Sequence, residues 1–209
     1  MNRYQKNKKL LSKTYNYNQN MEHDACGVGV IATTDGKKSR KIVDYGIEAL
    51  KAIWHRGAVD ADGKTGDGAG IHLEIPKNFF VEKIEVTGHK YDDCEICVGM
   101  IFLPKNDYAA QESCKTIVES ELTKNNFNIF GWRQVPVNSK VLGVKAFQTM
   151  PEIIQVLFKS NNKNLLNKEL ERKIYETRRK IEKECLKNNL NEFYICSFSS
   201  KSIIYKGMF

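Results

Sequence analysis

The order of the predicted strands and helices is what most restricts the fold of this 209-residue chain. Short apolar or alternating runs predict strands over residues 26–33, 71–75, 95–103, 128–137, 152–158 and, as a pair around Ser200-Lys201, 193–205. Helices are predicted over residues 41–54, where apolar residues recur at three- and four-residue steps, 106–124 and 164–188. These elements come in blocks instead of in strict strand–helix alternation. The order therefore favours sheets packed between helical layers over a doubly wound parallel sheet.

Composition places the chain among folded globular proteins. Hydrophobic residues make up 41% and charged residues 28% of the sequence, a balance typical of a packed core with a charged surface. No apolar run approaches the roughly 20 residues that a membrane-spanning helix needs. The sequence therefore predicts a folded chain that does not cross a membrane.

The net charge of +8 raises the alternative of a nucleic-acid-binding domain. One basic excess falls in residues 1–25 and another in residues 159–187, where five glutamates are interleaved with the basic side chains. Mixed signs at helical spacing are typical of a solvated helix face. Aromatic residues also do not alternate with the basic ones, as single-strand binding would favour. We therefore expect no nucleic-acid partner.

Residues 1–25 form a basic leader that lacks the apolar stretch of a secretory signal peptide. Cytoplasmic localisation is the expectation that follows. In that compartment the six cysteines are expected to be free thiols instead of a disulfide framework.

Two short motifs suggest chemistry that their context does not support. The glycine-rich residues 66–70 lack the third glycine of a dinucleotide-binding loop, because Ile71 stands there, and they precede a strand instead of following one. A close backbone approach, or contact with a small polar substrate, is the expected role of this loop.

Cys94 and Cys97 match C-x-x-C, but no second ligand pair accompanies them, as a zinc site would need. We expect neither a metal site nor a redox site there.

Cys26 lies in the most informative segment of the sequence. By itself, a cysteine that follows a basic leader and starts an apolar run is either an exposed nucleophile or a small core residue. Together with residues 54–58 and 64–71, however, residues 22–32 closely resemble the amino-terminal glutaminase domain of the glutamate synthase large subunit. That domain is a class II glutamine amidotransferase of the N-terminal-nucleophile (Ntn) hydrolase superfamily. The resemblance continues over residues 75–80, 99–104, 131–138, 148–151 and 196–208.

The resemblance implies a fold and a domain organisation. The expected fold is α+β, the Ntn-hydrolase αββα sandwich of antiparallel sheets between helix layers. Residues 1–25 would be a leader or propeptide that is removed by cleavage between Ala25 and Cys26. Residues 26–209 would be the N-terminal part of the glutamine amidotransferase domain. Because that domain normally continues further, the sandwich is expected to be incomplete and the chain truncated.

The resemblance also implies a mechanism in which Cys26 is the nucleophile that attacks the side-chain amide of L-glutamine. Once the leader is removed, the free α-amine of Cys26, with a pKa near 8, could act as general base for its own thiol. Arg56 matches the arginine that lies beside the nucleophile, where it would orient the cysteine backbone and hold positive charge near the thiol. The alternative for Arg56 is an arginine at a helix C-terminus that binds carbonyl groups. His55 is assigned no chemical role.

The sequence departs from the family in what it lacks. It contains no Asn-Gly dipeptide, which forms the oxyanion hole in the family, and no Arg-x-Ser-Thr segment, which holds the glutamine carboxylate. Substrate-binding residues are therefore expected beyond residue 209. FMN and an iron–sulfur cluster belong to later domains of the family, where ammonia is used to make glutamate from 2-oxoglutarate, and no cofactor is expected within this chain. The expected partners are L-glutamine and the remaining domains or subunits of a glutamate synthase; the alternative is a truncated, non-catalytic chain.

Overall fold

The computed structural model of the protein describes residues 2–14, 27–53, 57–162, 164–165 and 167–208. The described helices are α1 (Arg3–Thr14), α2 (Arg40–Ala52), α3 (Lys77–Val86), α4 (Tyr108–Lys124), α5 (Val144–Thr149) and α6 (Asn167–Lys187), with a 3-10 turn at Ser139–Val141. The described strands are β1 (Gly68–Glu74), β2 (Cys97–Leu103), β3 (Phe127–Gln134), β4 (Glu152–Ser160), β5 (Tyr194–Ser199) and β6 (Ser202–Met208). Among these helices, none is long and apolar enough to cross a membrane.

The strands form two antiparallel sheets. The larger sheet has the order β3-β4-β2-β5, and each neighbouring pair is antiparallel. β1 and β6 form a two-stranded sheet whose register runs from Gly68↔Met208 to Glu74↔Ser202. Antiparallel sheets accompanied by helices confirm the predicted α+β class, and they rule out a doubly wound parallel sheet.

One face of the larger sheet is covered by α4 and α6. Cys97, Ile101 and Leu103 of β2 point to this face and are buried against Val118 of α4 and Ile174 of α6. Full burial of an aliphatic side chain of this size contributes about 1.5–3 kcal/mol. This helix–sheet layer is therefore one of the two cores that hold the fold together.

The opposite face of the larger sheet packs against α3 and the two-stranded sheet. The intervening β2 residues Val98 and Met100 are buried here with Phe80 and Ile84 of α3 and Ile203 of β6. Because β2 is covered on both faces, it reads in the sequence as a continuous apolar run instead of an alternating one.

The helix layer is connected to the second sheet at the turn between β5 and β6. The carboxylate of Glu171 in α6 accepts hydrogen bonds from Ser199 Oγ (2.9 Å), the Ser200 N–H (2.7 Å) and Ser200 Oγ (2.7 Å). The helices predicted over residues 41–54 and 164–188 were expected to cover sheet faces; α6 packs on β5 of the larger sheet, and α2 contacts β1.

The described residues correct one prediction of local structure. No strand forms over residues 27–33, where Val28 and Val30 are each 90% exposed and no described strand pairs with them. An alternating apolar run becomes a strand only when a partner completes its hydrogen-bond ladder. Conversely, α3 was not predicted, although its Phe80 and Ile84 are fully buried.

Candidate functional site

The residues predicted to carry the chemistry lie outside the described part of the chain. This holds for Ala25 and Cys26 at the predicted cleavage site, and for Arg56 with its neighbour His55. The structure does describe the chain that follows Arg56, from Gly57 onward. The candidate site is therefore built from that segment and from what holds it.

Residues 58–67 form a short hairpin, called here the 58–67 hairpin, which leads directly into β1. At its base the Ala58 N–H donates to Asp67 Oδ2 at 2.8 Å. Val59 and Gly66 form an antiparallel bridge above that bond. Nearer the tip, the Asp60 N–H donates to the Thr65 carbonyl at 2.8 Å. The backbone two residues after Arg56 is thus fixed to the start of β1.

Asp62 makes the tip of the hairpin internally rigid. Its Oδ1 accepts the N–H groups of Lys64 (3.0 Å) and Thr65 (2.7 Å), and its Oδ2 accepts the hydroxyl of Thr65 (2.5 Å). The hydrogen bond from the Thr65 hydroxyl, followed by those from the two backbone N–H groups, lowers the pKa of Asp62 well below its ordinary value. Asp62 is therefore a carboxylate at neutral pH and serves as a fixed acceptor.

Helix α5 holds the same hairpin from outside. Lys145 Nζ lies 2.8 and 2.6 Å from the two carboxylate oxygens of Asp60, and the Ala146 N–H donates to Thr65 Oγ1 at 3.4 Å. The hydrogen bond between Lys145 and Asp60 lowers the pKa of Asp60 and raises that of Lys145. Both groups are therefore charged over the neutral range.

Gly143, the residue before α5, allows this close approach. A Cβ atom at position 143 would lie 2.5 Å from the Thr65 backbone nitrogen and 2.5 Å from Asp62 Oδ2, and closer still to Thr65 Oγ1. Carbon contacts are ordinarily near 3.5–4.0 Å. Any side chain at this position would push the hairpin away from α5.

The glycine-rich residues after the hairpin belong to a strand. Gly68 and Gly70 lie in β1, and a Cβ atom on Gly70 would lie 2.8 Å from both Lys206 Cβ and the Tyr205 carbonyl oxygen. This agrees with the interpretation of residues 66–70 as a place where two backbones approach closely.

The sequence that forms this site matches a known protein family. The family Glutamine amidotransferases class-II matches residues 26–209. The chain belongs to the class II glutamine amidotransferases. The described hairpin, β1 and α5 thus all lie within the region of this amidotransferase that the family covers.

The relatives of this amidotransferase are glutamate synthases. It is 52% identical over 206 residues to the glutamate synthase [NADPH] large chain of Azospirillum brasilense, a match that covers 99% of this chain and 14% of the relative. It is 43% identical over 191 residues to the ferredoxin-dependent glutamate synthase of Pyropia yezoensis, covering 90% of this chain and 12% of the relative. The chain therefore spans a small part of the length of the relatives that it matches.

The described thiols of this amidotransferase lie in the two cores. Cys97, Cys114 and Cys185 are buried between the larger sheet and its helices, and Cys196 is buried on the opposite face. Burial raises the pKa of Cys94 to about 11 and also raises that of Cys97 and Cys196. Cys94, Cys97 and Cys196 therefore stay protonated at neutral pH and are poor nucleophiles.

Cys94 and Cys97, the C-x-x-C pair, belong to different cores. Cys97 is packed against α4 and α6, whereas the half-buried Cys94 packs on the side of α3. Within the described ranges, no three His, Cys, Asp or Glu side chains come together as a metal ion would require.

Three residues of the hairpin environment were missed by sequence reasoning: Asp67, Gly143 and Lys145. Asp67 falls inside the quoted residues 64–71, but nothing in its spacing indicates that it accepts the Ala58 N–H. Lys145 is separated from Asp60 by 85 positions. No local periodicity in a single sequence reports a contact across that distance.

Proposed function

We propose that this chain carries the glutamine-hydrolysing nucleophile of a glutamate synthase, and that this nucleophile is Cys26. The supporting observation is that the match to the class II amidotransferases begins at residue 26 and continues to residue 209. Further support comes from the names of the relatives, which are NADPH and ferredoxin-dependent glutamate synthases. The ammonia released would be used elsewhere in such an enzyme to make glutamate from 2-oxoglutarate.

The first step of this proposal is removal of residues 1–25 by cleavage between Ala25 and Cys26. In the uncut chain the nitrogen of Cys26 is an amide, which is too weakly basic to accept a proton. After cleavage it is an α-amine with a pKa near 7.7–8.0, so part of it is unprotonated at neutral pH. The amine then accepts the thiol proton, and the thiolate becomes available.

The chemical steps balance without a cofactor. The thiolate sulfur forms a bond to the side-chain carbonyl carbon of L-glutamine, and the carbon–nitrogen bond breaks as the α-ammonium returns its proton to the leaving ammonia. Water then attacks the thioester, the carbon–sulfur bond breaks, and glutamate and the free thiol are released. The flavin and the iron–sulfur cluster implied by the family resemblance take no part in these steps.

Arg56 is proposed to act beside Cys26 by orienting its backbone and by holding a positive charge near the sulfur. A nearby positive charge favours the thiolate and so lowers the pKa of the thiol. Two described features support a defined position for the chain next to Arg56: the bond from Ala58 to Asp67 and the anchoring of the 58–67 hairpin on α5.

The oxyanion and carboxylate ligands of glutamine are proposed to come from other segments of a glutamate synthase. The basis is that the sequence contains neither an Asn-Gly dipeptide nor an Arg-x-Ser-Thr segment. Loss of one oxyanion-hole donor alone costs about 10²–10³-fold in rate. The second candidate is therefore that the 209 residues by themselves do not hydrolyse glutamine and act only together with the rest of such an enzyme.

The test uses the full-length glutamate synthase to which the proposed function assigns this chain, called here the extended chain. Cys26→Ser should reduce ammonia release from glutamine by about 10³-fold or more, because the nucleophile is lost. Cys94→Ser is the matched control and should retain activity, since Cys94 packs on the side of α3. Ammonia release that survives Cys26→Ser would contradict the proposed nucleophile.

Intact-mass measurement tests the cleavage. Removal of residues 1–25 leaves 184 of the 209 residues of this chain. An active extended chain that retains its leader would contradict the role of the Cys26 α-amine.

A further inference from the structure

We propose that Gly143 and Lys145 are positioning residues for the glutaminase reaction, and that they act by holding the 58–67 hairpin, and with it the backbone next to Arg56, in one place. The inference rests on the proposed function of Cys26 and Arg56. It goes beyond that function by assigning a role to α5, which belongs to neither the leader nor the predicted catalytic residues.

The base of the hairpin holds the chain that follows Arg56. Ala58 lies two residues after Arg56 in the sequence, and its N–H is held by Asp67 at 2.8 Å. Asp67 immediately precedes β1, which pairs with β6 over its whole length. The chain at Ala58 is therefore tied both to the 58–67 hairpin and, through Asp67, to the start of β1.

The 58–67 hairpin is anchored on α5 as one body. Asp62 ties Lys64 and Thr65 together, and the bond from the Asp60 N–H to the Thr65 carbonyl ties this tip to the strands below it. Its contacts with α5 include the Lys145–Asp60 ion pair and the hydrogen bond from Ala146 to Thr65. Thr65 is 5% exposed, so this anchor is closed to solvent on its inner side.

The contact between Lys145 and Asp60 positions the hairpin without adding much to the stability of the fold. The Lys145 and Asp60 side chains are 62% and 35% exposed, and ion pairs of this kind contribute little to folding stability. Loss of Lys145 should therefore leave the fold intact and release only the hairpin. Gly143 acts by close approach, because a Cβ atom there would be forced into Thr65 and Asp62.

The experiment measures glutamine hydrolysis by the extended chain with Gly143→Ala, Lys145→Ala and Lys145→Arg. We expect kcat to fall by about 10²-fold for Gly143→Ala, since misplacement of a reacting group by about 1 Å has that effect. For Lys145→Ala a smaller fall, of roughly 3- to 10-fold, is expected, because the bond to Thr65 remains. Lys145→Arg keeps a cation on Asp60 and should recover most of the activity. KM for glutamine should stay within about twofold, because its ligands are proposed to lie elsewhere.

Two matched controls accompany these variants. Gly207→Ala is the same substitution at a glycine with nothing within 4 Å of the added Cβ. Lys187→Ala breaks an exposed pair with Glu184, whose two side chains are 59% and 40% exposed, similar to those of Lys145 and Asp60. Both controls should retain the kcat of the unchanged protein.

A second measurement reports on the nucleophile directly. The rate at which iodoacetamide alkylates Cys26 is followed against pH in the extended chain. If the hairpin holds the Arg56 charge near the thiol, Gly143→Ala should shift the alkylation curve to higher pH by about 0.5–1 unit. A purely structural contribution of Gly143 would leave the midpoint of that curve unchanged.

The outcomes are distinct. If Cys26→Ser retains hydrolysis, the proposed function fails, and the positioning inference fails with it. If Cys26 is required but Gly143→Ala and Lys145→Ala keep the unchanged kcat and alkylation midpoint, only the positioning inference is overturned. A fall in kcat that tracks a fall in thermal stability, with an unchanged alkylation midpoint, also overturns it. Should Gly143→Ala fail to fold, Lys145→Ala and Lys145→Arg decide the question.

Discussion

Gly99, in the centre of β2, is the position where one added methyl group should cost the fold most. Its neighbours across the strand pairs are Val156 of β4 and Phe198 of β5. A Cβ atom on Gly99 would lie 2.5 and 2.6 Å from the Phe198 ring and 2.7 Å from Val156 Cγ1. The Phe198 ring is itself stacked on Phe158, with centroids 4.8 Å apart, so it has little space into which to retreat.

The loss of folding stability expected for Gly99→Ala follows from these distances. Each contact would have to lengthen by roughly 1 Å to reach ordinary carbon separations, and both neighbours are buried in the core. Overpacking of a core usually costs about 1–3 kcal/mol, and the confined ring places Gly99→Ala in the upper part of that range, at about 2–3 kcal/mol. For a chain of this size such a loss lowers Tm by about 4–12 °C.

The assay is urea unfolding followed by far-UV circular dichroism and by tryptophan fluorescence, whose coincidence tests for a two-state transition. Gly207→Ala, which adds the same methyl group into open space, should change the free energy of unfolding by no more than about 0.5 kcal/mol. Phe198→Leu combined with Gly99→Ala should be less destabilising than the sum of the single changes, by at least about 1 kcal/mol, because the smaller side chain relieves the clash. Equal midpoints for Gly99→Ala and Gly207→Ala, or strict additivity with Phe198→Leu, would refute the reasoning.

Three further predictions concern single side chains. Glu171→Ala removes the acceptor of three hydrogen bonds at the β5–β6 turn and should lower the free energy of unfolding by about 2 kcal/mol in the same urea assay. Glu169 is exposed, so Glu169→Ala should have little effect. The pKa of Asp62 is lowered in the folded state, so the stabilisation that this carboxylate gives is present above its ordinary pKa of 3.8 and is lost as the pH falls through the folded pKa. A carboxyl ¹³C titration of Asp62 should therefore have its midpoint below 3.8. A midpoint at or above that value would contradict the hairpin geometry. With a pKa of about 11, Cys94 should react with iodoacetamide at a rate that still rises near pH 10. The rate is measured on the Cys94 peptide by mass spectrometry. A rate that stops rising near pH 9 would show that Cys94 is not buried as described.

The larger helices and the core strands could be predicted from the sequence because their signals are local. The helix predicted over 164–188 is Asn167–Lys187, and the two strands predicted around Ser200-Lys201 are β5 and β6, which pair in different sheets. Long periodic segments carry many residues that agree with one another, so small errors fall only at their ends. The order of these elements favoured sheets packed between helical layers, whereas the α+β sandwich was implied by the family resemblance.

The elements that were missed have weak or ambiguous local signals. Pro76 directly follows the strand predicted over 71–75 and is the N-cap residue of α3, a position where the missing N–H of proline has no cost. Helix α5 has six residues, too few to display a period. The strand predicted over 26–33 does not form in its described residues, 27–33, for the opposite reason: the compact apolar run is clear in the sequence, but a strand also needs a partner.

The candidate site was predictable only in part. Cys26 and Arg56 came from a resemblance of several motifs in one order, and they remain predictions because neither lies among the described residues. The contacts of Asp60 and Thr65 with α5 span 85 and 81 positions. Pairings of that range are set by the packing of the whole domain, so one sequence without its fold does not indicate them.

The close approach at Gly70 also restricts which changes of chain length the protein can tolerate. Gly70 fits opposite Lys206 because it has no side chain, and an insertion or deletion between Asp67 and Gly70 would bring a residue with a Cβ atom into that place. The same one-residue shift would turn the outward-facing side chains of β1 toward the core. Substitutions on the exposed tip of the hairpin should therefore be accepted in natural variants or in a library far more readily than any change in the number of residues between the hairpin and Gly70.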